Sequence, residues 1–267
     1  MTAMLAGFPR SPWPRAWGRA RRSTATMASS VVLMLVVLWG LARIVAFAPE
    51  PIGSNAQAFA DGARMTVALT CVSGAAGILL GIFAALGKVS RVPPLRWLAS
   101  FYVWVIRGTP LLIQVFFAYF ALPQLLPFVK LEEFGWACVA LGLNVGAYNA
   151  EAIRAGLLAV PKGQVEAARS LGLNRWYTFR DVTLPQAFKI ALPPLVNNIV
   201  ALLKDSSLAS VIGLVELTNT ADLLRAKTYL PIPSLVTSAA IYLLLTTVMT
   251  QFSGAVERRF DIEDKLS

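Results

Sequence analysis

Residues 29–48 read SSVVLMLVVLWGLARIVAFA, an apolar run of roughly the 20 residues that a helix needs to cross a bilayer. Its one charged residue is Arg43, near the end of the run, where a long side chain can reach the polar interface. The whole chain has the same character, because 57% of its 267 residues are apolar, 14% are charged and the mean hydropathy is +0.63. Soluble domains are less apolar and about a quarter charged. The sequence therefore predicts an integral membrane protein.

The counts of histidine and cysteine exclude several classes of protein. The chain has no histidine and two cysteines, Cys71 and Cys138. Histidine-based metal sites, Ser-His-Asp triads and Cys-His dyads are therefore excluded, and so is a disulfide scaffold. The formal charge is +10, but the basic residues cluster at the ends of apolar runs and do not follow one soluble surface, as in nucleic-acid-binding proteins. We expect no catalytic residue, no metal and no nucleic-acid partner.

Six apolar segments predict an all-α, polytopic fold with six transmembrane helices. They cover residues 29–48, 63–87, 97–122, 134–158, 186–203 and 232–253. If all six cross the membrane, the basic clusters fall on one side, whereas the alternate loops contain few basic residues. Because cytoplasmic loops are enriched in lysine and arginine, we expect both termini to be cytoplasmic. The residues behind this expectation are Arg10, Arg15, Arg19, Arg21, Arg22, Lys88, Arg91, Arg96, Lys162, Arg169, Arg175, Arg180, Lys189, Arg258 and Arg259.

The loop after the fourth segment is too charged to cross the membrane and too organised to be unstructured. Residues 159–185 read AVPKGQVEAARSLGLNRWYTFRDVTLP. Pro161 suits the first position of a helix, Gly172 suits the position after a helix end, and Asn174 can cap a further turn. The pattern predicts a short helix over about 163–171. Composition alone favours a helix lying in the membrane interface over one that offers Glu166 to a basic partner protein.

The spacing within this loop favours the partner protein, because it resembles the EAA signature of ABC importer permeases. Glu166-Ala167-Ala168 is followed by three residues, Gly172, nine residues, Val182, one residue and Leu184-Pro185. Isoleucine is commoner than valine at the position of Val182. Further matching stretches are RGTP at 107–110, GAY at 146–148, Gly163-Gln164 and KDSSLAS at 204–210. Together, over residues 62–257, they resemble the permease subfamily for polar amino acids (histidine, glutamate, glutamine, arginine and opines).

The resemblance implies a division of labour between this chain and separate proteins. The chain would form a type I importer core in the cytoplasmic membrane of a bacterium, as a dimer with a second permease subunit that is either identical or different. A separate ATPase would bind ATP and magnesium, and an extracytoplasmic binding protein would deliver the amino acid. This chain itself would bind no cofactor. The residues that the signature places against the ATPase are Gly163, Gln164, Glu166, Ala167, Ala168, Gly172, Leu184 and Pro185.

The resemblance also divides the chain into parts. A basic cytoplasmic tail would cover residues 1–28, and an extra N-terminal transmembrane helix with its outer loop would cover 29–61. The transmembrane domain would cover 62–257, with the EAA loop at 161–185, and a cytoplasmic tail would cover 258–267. The first helix is extra because the core of the family usually has five spans.

A search for a phosphate-binding loop finds only a weak match at residues 81–89, GIFAALGKV. It has five residues between its glycines where the phosphate loop has four, and it ends in valine where that loop has serine or threonine. It also lies within a predicted span. We therefore interpret this stretch as helix packing and expect ATP to be hydrolysed by another chain.

Polar residues within the predicted spans have a structural and a functional interpretation. Glu151 and Arg154 are three residues apart, which favours an ion pair at the cytoplasmic end of the fourth span over a gating role. Arg107 is interpreted as a snorkelling arginine at a helix start. Asn144 and Tyr148 share a helix face, so they either bond to another helix or line the transport path.

The stretch Lys204-Asp205-Ser206-Ser207 contains an anion, a cation and hydroxyl groups. An amino acid zwitterion needs all three when it leaves water, so these residues are candidates for the substrate pathway. The equally weighted alternative is a mutual pair of Lys204 and Asp205 that ends the fifth helix. The charged residues of the following outer segment are interpreted as a solvated face: Glu216, Asp222, Arg225 and Lys227.

Two other functions compete with the ABC permease. An ion-gradient-driven secondary transporter would need no docking helix for an ATPase. A lipid-modifying membrane enzyme would need a catalytic base, which is hard to find in a chain without histidine. The sequence does not identify the amino acid that is carried.

Overall fold

The computed structural model describes the backbone of residues 13–260 and the side chains of residues 24–260. The helices of this part of the chain are joined by short turns and loops, and it contains no strand. Residues 1–12 of the predicted N-terminal tail, 1–28, lie outside it, as does most of the predicted C-terminal tail, 258–267, and so do the side chains of the basic residues before position 24. The first helix begins at Trp13, so the backbone is already helical over the second half of the predicted N-terminal tail.

Eleven α-helices follow one another along the described chain. They are α1 (Trp13–Val45), α2 (Ala56–Val89), α3 (Pro93–Gly108), α4 (Leu111–Phe116), α5 (Leu122–Leu125), α6 (Glu133–Ala159), α7 (Lys162–Ser170), α8 (Arg175–Tyr177), α9 (Leu184–Asp205), α10 (Leu217–Thr228) and α11 (Pro231–Arg259). Short 3₁₀ turns cover Gly53–Asn55 and Ser206–Ile212, and π-helical turns cover Phe117–Ala121 and Thr178–Thr183.

The number of candidate spans in the described chain is smaller than the six predicted. Four helical stretches are long and apolar enough to cross a membrane: Thr24–Val45, Gly53–Val89, Arg175–Ile212 and Pro231–Arg259. A fifth candidate is the pair Pro93–Gly108 and Leu111–Leu125, which is bent by 111°. The predicted fourth span is present as the helix α6, but α6 is too polar to count by itself. Packing against α2, α3 and α9 encloses much of α6, which explains how it can hold buried asparagines.

Close contact between α2 and α6 depends on glycine. A Cβ atom on Gly77 would lie 2.2 Å from Cγ1 of Val145, and one on Gly81 would lie 2.6 Å from Cβ of Asn149. Small residues let helix backbones approach in this way within membranes. The stretch 81–89 therefore forms the last turns of α2, where Gly81 packs against α6 and Gly87 against α3, which agrees with its interpretation as helix packing.

The outer segment contradicts one prediction, because Glu216 is fully buried and not solvated. Its carboxylate caps α10 by accepting hydrogen bonds of 2.8 Å from the backbone N–H groups of Thr218 and Asn219. The Tyr242 hydroxyl of α11 donates at 2.8 Å and the Thr66 hydroxyl of α2 at 3.4 Å. Burial raises the pKa of the Glu216 carboxyl, and these hydrogen bonds oppose the increase. The other three charged residues of the segment are exposed, as predicted: Asp222, Arg225 and Lys227.

The helix α1 packs against α2 and α11 through a narrow stripe of apolar side chains. Val37, Leu41 and Val45 are buried at intervals of four residues, which places them on one face of the helix. They join a cluster that includes Ile241 and Leu245 of α11. Most of the other large apolar residues of α1 are exposed, as expected of a helix whose other faces contact lipid.

Candidate functional site

The break between α3 and α4 places polar backbone and side-chain groups in an otherwise apolar segment. The helix α3 ends at Gly108, and Thr109 and Pro110 adopt extended backbone conformations before α4 begins. A broken helix leaves backbone carbonyls without intrahelical partners. The side-chain amide of Gln114 satisfies two of the acceptors here, because its Nε2 donates to the Ile106 carbonyl at 2.7 Å and to the Thr109 carbonyl at 3.1 Å. The same nitrogen lies 2.9 Å from Oγ1 of Thr109.

A cavity of about 360 Å³ lies beside this break, between α4, α6 and α9. Its wall combines apolar side chains with a few polar groups. The polar members are Thr109, Asn144, Tyr148, Asn198 and Asp205. This composition, an apolar cavity with few convergent polar groups, is typical of a site for a small molecule.

Two pairs of side-chain amides adjoin the cavity. Nδ2 of Asn144 donates to Oε1 of Gln114 at 2.9 Å, which joins α6 to α4. Nδ2 of Asn198 donates to Oδ1 of Asn149 at 2.9 Å, which joins α9 to α6. Asn149 is fully buried, and its Nδ2 has no hydrogen-bond partner among the described residues. The amides therefore connect the three helices that surround the cavity.

The structure brings together three of the six predicted pathway residues. Asn144, Tyr148 and Asp205 line the cavity, as expected for Asn144 and Tyr148 from their shared helix face. Lys204 is exposed and does not line it, and no ion pair between Lys204 and Asp205 occurs in residues 24–260. Ser206 is buried and donates to the Leu203 carbonyl at 2.8 Å, while the Ser207 carbonyl accepts from Ser210. Lys204, Ser206 and Ser207 are therefore not brought together with Asp205 in the cavity.

Arg107 occupies a different position from the one predicted. It lies in the last turn of α3, not at a helix start, and a cation in this position interacts favourably with the helix dipole. Its guanidinium carbon lies 5.2 Å from the ring centroid of Tyr148, within cation–π distance. Since Tyr148 lines the cavity, Arg107 is connected with the cavity through this ring.

Glu151 is the centre of a charged cluster further along α6. Its Oε2 accepts from Nε and Nη2 of Arg154 at 3.0 and 2.7 Å, so the predicted ion pair is present. Its Oε1 also contacts Nζ of Lys88, near the end of α2. The side chains of Glu151 and Lys88 are each 18% exposed. One carboxylate therefore ties the end of α2 to α6.

The predicted short helix in the loop after α6 is present as α7, Lys162–Ser170. Pro161 is its N-cap residue and not its first helical residue, an error of one position. Gly172 has a φ of +85°. The Gly172 and Leu173 N–H groups bond to the carbonyls of Arg169 and Ala168 at 2.9 and 3.2 Å, a Schellman ending.

Most of the signature residues of this loop are exposed, as a docking surface requires. Only Ala168 is buried, and the exposed members are Gly163, Gln164, Glu166, Ala167, Gly172, Leu184 and Pro185. Asn174 caps α8 by accepting from the Tyr177 N–H at 3.0 Å, as predicted. In residues 24–260, no group of three histidine, cysteine, aspartate or glutamate side chains is arranged to hold a metal ion.

Sequence reasoning missed three residues that the structure places at these sites. They are Lys88, Gln114 and Asn198, and their partners lie 63, 30 and 49 positions away in the chain. Periodicity within one helix carries no information on such partners. The one local signal that could have identified Gln114 is its position four residues after Pro110, just beyond the break between the helices.

Comparison with known proteins places these features in a family. A family model described as the binding-protein-dependent transport system inner membrane component matches residues 77–262. The chain is 42% identical to an arginine transport system permease protein of Bacillus subtilis, over 76% of this chain and 93% of that protein. It is 37% identical to a glutamine transport system permease protein of Escherichia coli, over 76% and 92%.

Comparison with solved structures agrees with the family found from the sequence. The solved structure of an amino acid ABC transporter with histidines superposes with a TM-score of 0.73 at 41% identity, covering 77% of this chain and 95% of that one. An octopine transport system permease protein of Rhizobium meliloti is 39% identical over 73% of this chain and 83% of that protein. The chain therefore belongs to the family of inner membrane components of binding-protein-dependent transport systems.

Proposed function

We propose that this chain is the permease subunit of an ATP-binding cassette importer that carries a polar amino acid into the cell. The observation that supports this most is the family match, together with relatives named for arginine, glutamine and octopine transport. The relatives give no support to an ion-gradient-driven secondary transporter. The cavity between α4, α6 and α9 is the candidate path, because it offers both a carboxylate and amides to a zwitterionic solute.

The helix α7 is the proposed contact with the ATPase. It presents Glu166 and Ala167 to the surroundings, while Ala168 packs inward and the Gly172 turn ends the helix. A protruding carboxylate suits a charge-assisted contact with a basic groove. Leu184 and Pro185 at the start of α9 are also exposed, and we assign them to the same contact.

The remaining partners follow from this assignment. ATP and magnesium are bound by a separate ATPase subunit, and an extracytoplasmic binding protein delivers the amino acid to the outer face. A second permease subunit completes the translocation unit, and lipid surrounds it. In this arrangement six helices cross the inner membrane, α7 is cytoplasmic, and both termini are cytoplasmic.

Reconstituted transport tests the proposal. The chain, its ATPase and its binding protein are assembled in proteoliposomes, and uptake of labelled arginine, glutamine, glutamate and histidine is measured. We expect uptake of at least one of them with ATP, and none with a non-hydrolysable analogue. Uptake that continues without ATP hydrolysis and stops when the ion gradient is dissipated would contradict the proposal.

The coupling surface is tested by charge reversal at one residue. Glu166→Lys should leave the chain inserted but prevent stable ATPase association, because two positive surfaces would then face each other. Co-purification of the ATPase and labelled uptake are measured together. The matched control is Asp222→Lys, which reverses another exposed carboxylate on the outer segment and should leave ATPase association unchanged. Wild-type ATPase association and uptake by Glu166→Lys would contradict the assignment of α7.

A further inference from the structure

Gln114 makes contacts on both sides of the break. Its Nε2 bonds to the carbonyls of Ile106 and Thr109, while its Oε1 accepts from Asn144. One side chain therefore holds the end of α3, the start of α4 and a residue of α6. Gln124, a second glutamine further along the same segment, bonds only to the Phe120 carbonyl one turn before it within the described chain.

The bond to Gln114 also determines what Asn144 can offer to the cavity. Asn144 is only 8% exposed, and it lines the cavity from α6. Because its Nδ2 is held by Gln114, the amide plane cannot turn freely about the side-chain axis. Within residues 24–260, Oδ1 of Asn144 has no protein hydrogen-bond partner, so this acceptor is left for a molecule in the cavity.

We propose that Gln114 is a positioning residue for transport, which couples the geometry of the broken helix to the amide of Asn144. The proposal rests on the proposed function and deepens it. The bend of 111° between the two helical segments leaves carbonyls that need a donor. Gln114 supplies this donor, and its own carbonyl then fixes Asn144. A movement of α4 relative to α3 therefore changes the hydrogen-bonding group that the solute meets.

A double-mutant cycle tests the coupling. Gln114→Met and Asn144→Leu are made singly and together in the full importer complex, and uptake of labelled arginine and glutamine is measured per assembled complex. Each single variant should lower kcat for uptake by about tenfold, since the lost bonds are worth roughly that factor in rate. The double variant should be hardly slower than either single one, because both changes remove the same connection.

A second glutamine of the same segment, Gln124, provides the control for the double-mutant cycle. Gln124→Met changes a glutamine of the same segment that has no contact with the cavity, and its effect should multiply with that of Asn144→Leu. If the effects of Gln114→Met and Asn144→Leu also multiply, the inference is wrong. If the Gln114→Met variant fails to assemble, Gln114→Asn is used in its place. Asparagine keeps the side-chain amide, but its side chain is shorter by one methylene. Absence of uptake by the wild type would contradict the proposed function, whereas multiplying effects in a transporting complex contradict only the coupling.

Discussion

At the level of single residues, the cavity has one charged group and several neutral ones. Among the described residues that line it, Asp205 is the one with a carboxylate, while Asn144, Asn198 and Tyr148 contribute neutral groups. The α-ammonium of an amino acid, or a cationic side chain, would find its counter-charge at Asp205. None of the described residues that line the wall is a cation, so the α-carboxylate would be held by amide and hydroxyl donors or by a second subunit.

Removing the charge of Asp205 should show whether Asp205 contributes to uptake independently of its neighbour Lys204. Asp205→Asn keeps the shape and hydrogen-bonding capacity, and we expect normal assembly but uptake slower by about tenfold to a hundredfold. This corresponds to the loss of one charge-assisted contact of about 1.5–3 kcal/mol in the rate-limiting state. Lys204→Gln is the control and should leave uptake unchanged, because Lys204 is exposed outside the cavity. Equal losses in the two variants would mean that they act as a structural pair.

Glu151 should matter for stability, because one carboxylate serves two cations. Glu151→Gln leaves Lys88 and Arg154 close together without a counter-charge. We expect a loss of about 1–3 kcal/mol, less than for a fully buried pair, seen as a lower melting temperature of the detergent-solubilised protein. Adding Lys88→Met should restore part of it. Asp222→Asn breaks an exposed pair with Arg225 and should leave the melting temperature unchanged. A melting temperature that Glu151→Gln does not alter would show that water already screens the cluster.

At the level of elements, features encoded within a few residues could be predicted from the sequence. The helix α7, the turn at Gly172 and the cap at Asn174 follow from local residue types, and the structure has each of them. Burial could not be predicted in the same way. Glu216 looks like a surface residue in sequence, but it is buried because α2 and α11 supply Thr66 and Tyr242 to its carboxylate.

The count of four or five apolar candidate spans in residues 24–260 omits α6 because it depends on apolarity. Apolarity indicates which helices face lipid, and α6 faces mainly protein. A helix enclosed by α2, α3 and α9 can hold Asn144 and Asn149, because their hydrogen-bond partners lie on α4 and α9. Its hydropathy then falls below that of a lipid-facing span. The contacts of Gln114 and Lys88 were missed because they join distant parts of the chain.

Two glycines of the α7 region should respond in opposite directions to the same substitution. Gly172→Ala places a Cβ at a φ of +85° and should destabilise the end of α7 by about 1 kcal/mol. Gly163→Ala lies within the helix at an ordinary φ and should stabilise it by up to about 1 kcal/mol. A Cβ at either position meets no atom within 4 Å, so packing does not interfere. Amide hydrogen exchange over residues 162–173 measures both changes, and faster exchange in both variants would contradict the helical assignment of Gly163.

At the level of the whole molecule, the basic loops lead to a test of topology. Single cysteines are introduced as Ala20→Cys, Asn55→Cys and Ser170→Cys in a chain whose Cys71 and Cys138 have been replaced. With an impermeant thiol reagent outside intact cells, only position 55 should be labelled, since lysine and arginine retain short loops in the cytoplasm. Permeabilised cells give the control, in which all three positions react. Labelling of position 170 from outside would reverse the orientation.

The contact between α1 and α11 also has a consequence for how the protein is made. Leu41 and Ile241 belong to one cluster although they are about 200 positions apart in the chain. At about 5–20 residues per second, the ribosome needs about 10–40 s to deliver α11 after α1 has entered the membrane. During this interval the apolar stripe of α1 can remain against lipid, where apolar side chains are not penalised. A nascent chain that stops before Pro231 can form the contact of α1 with α2 but not the one with α11, so α1 packs against α11 only after residues 231–259 have been synthesised.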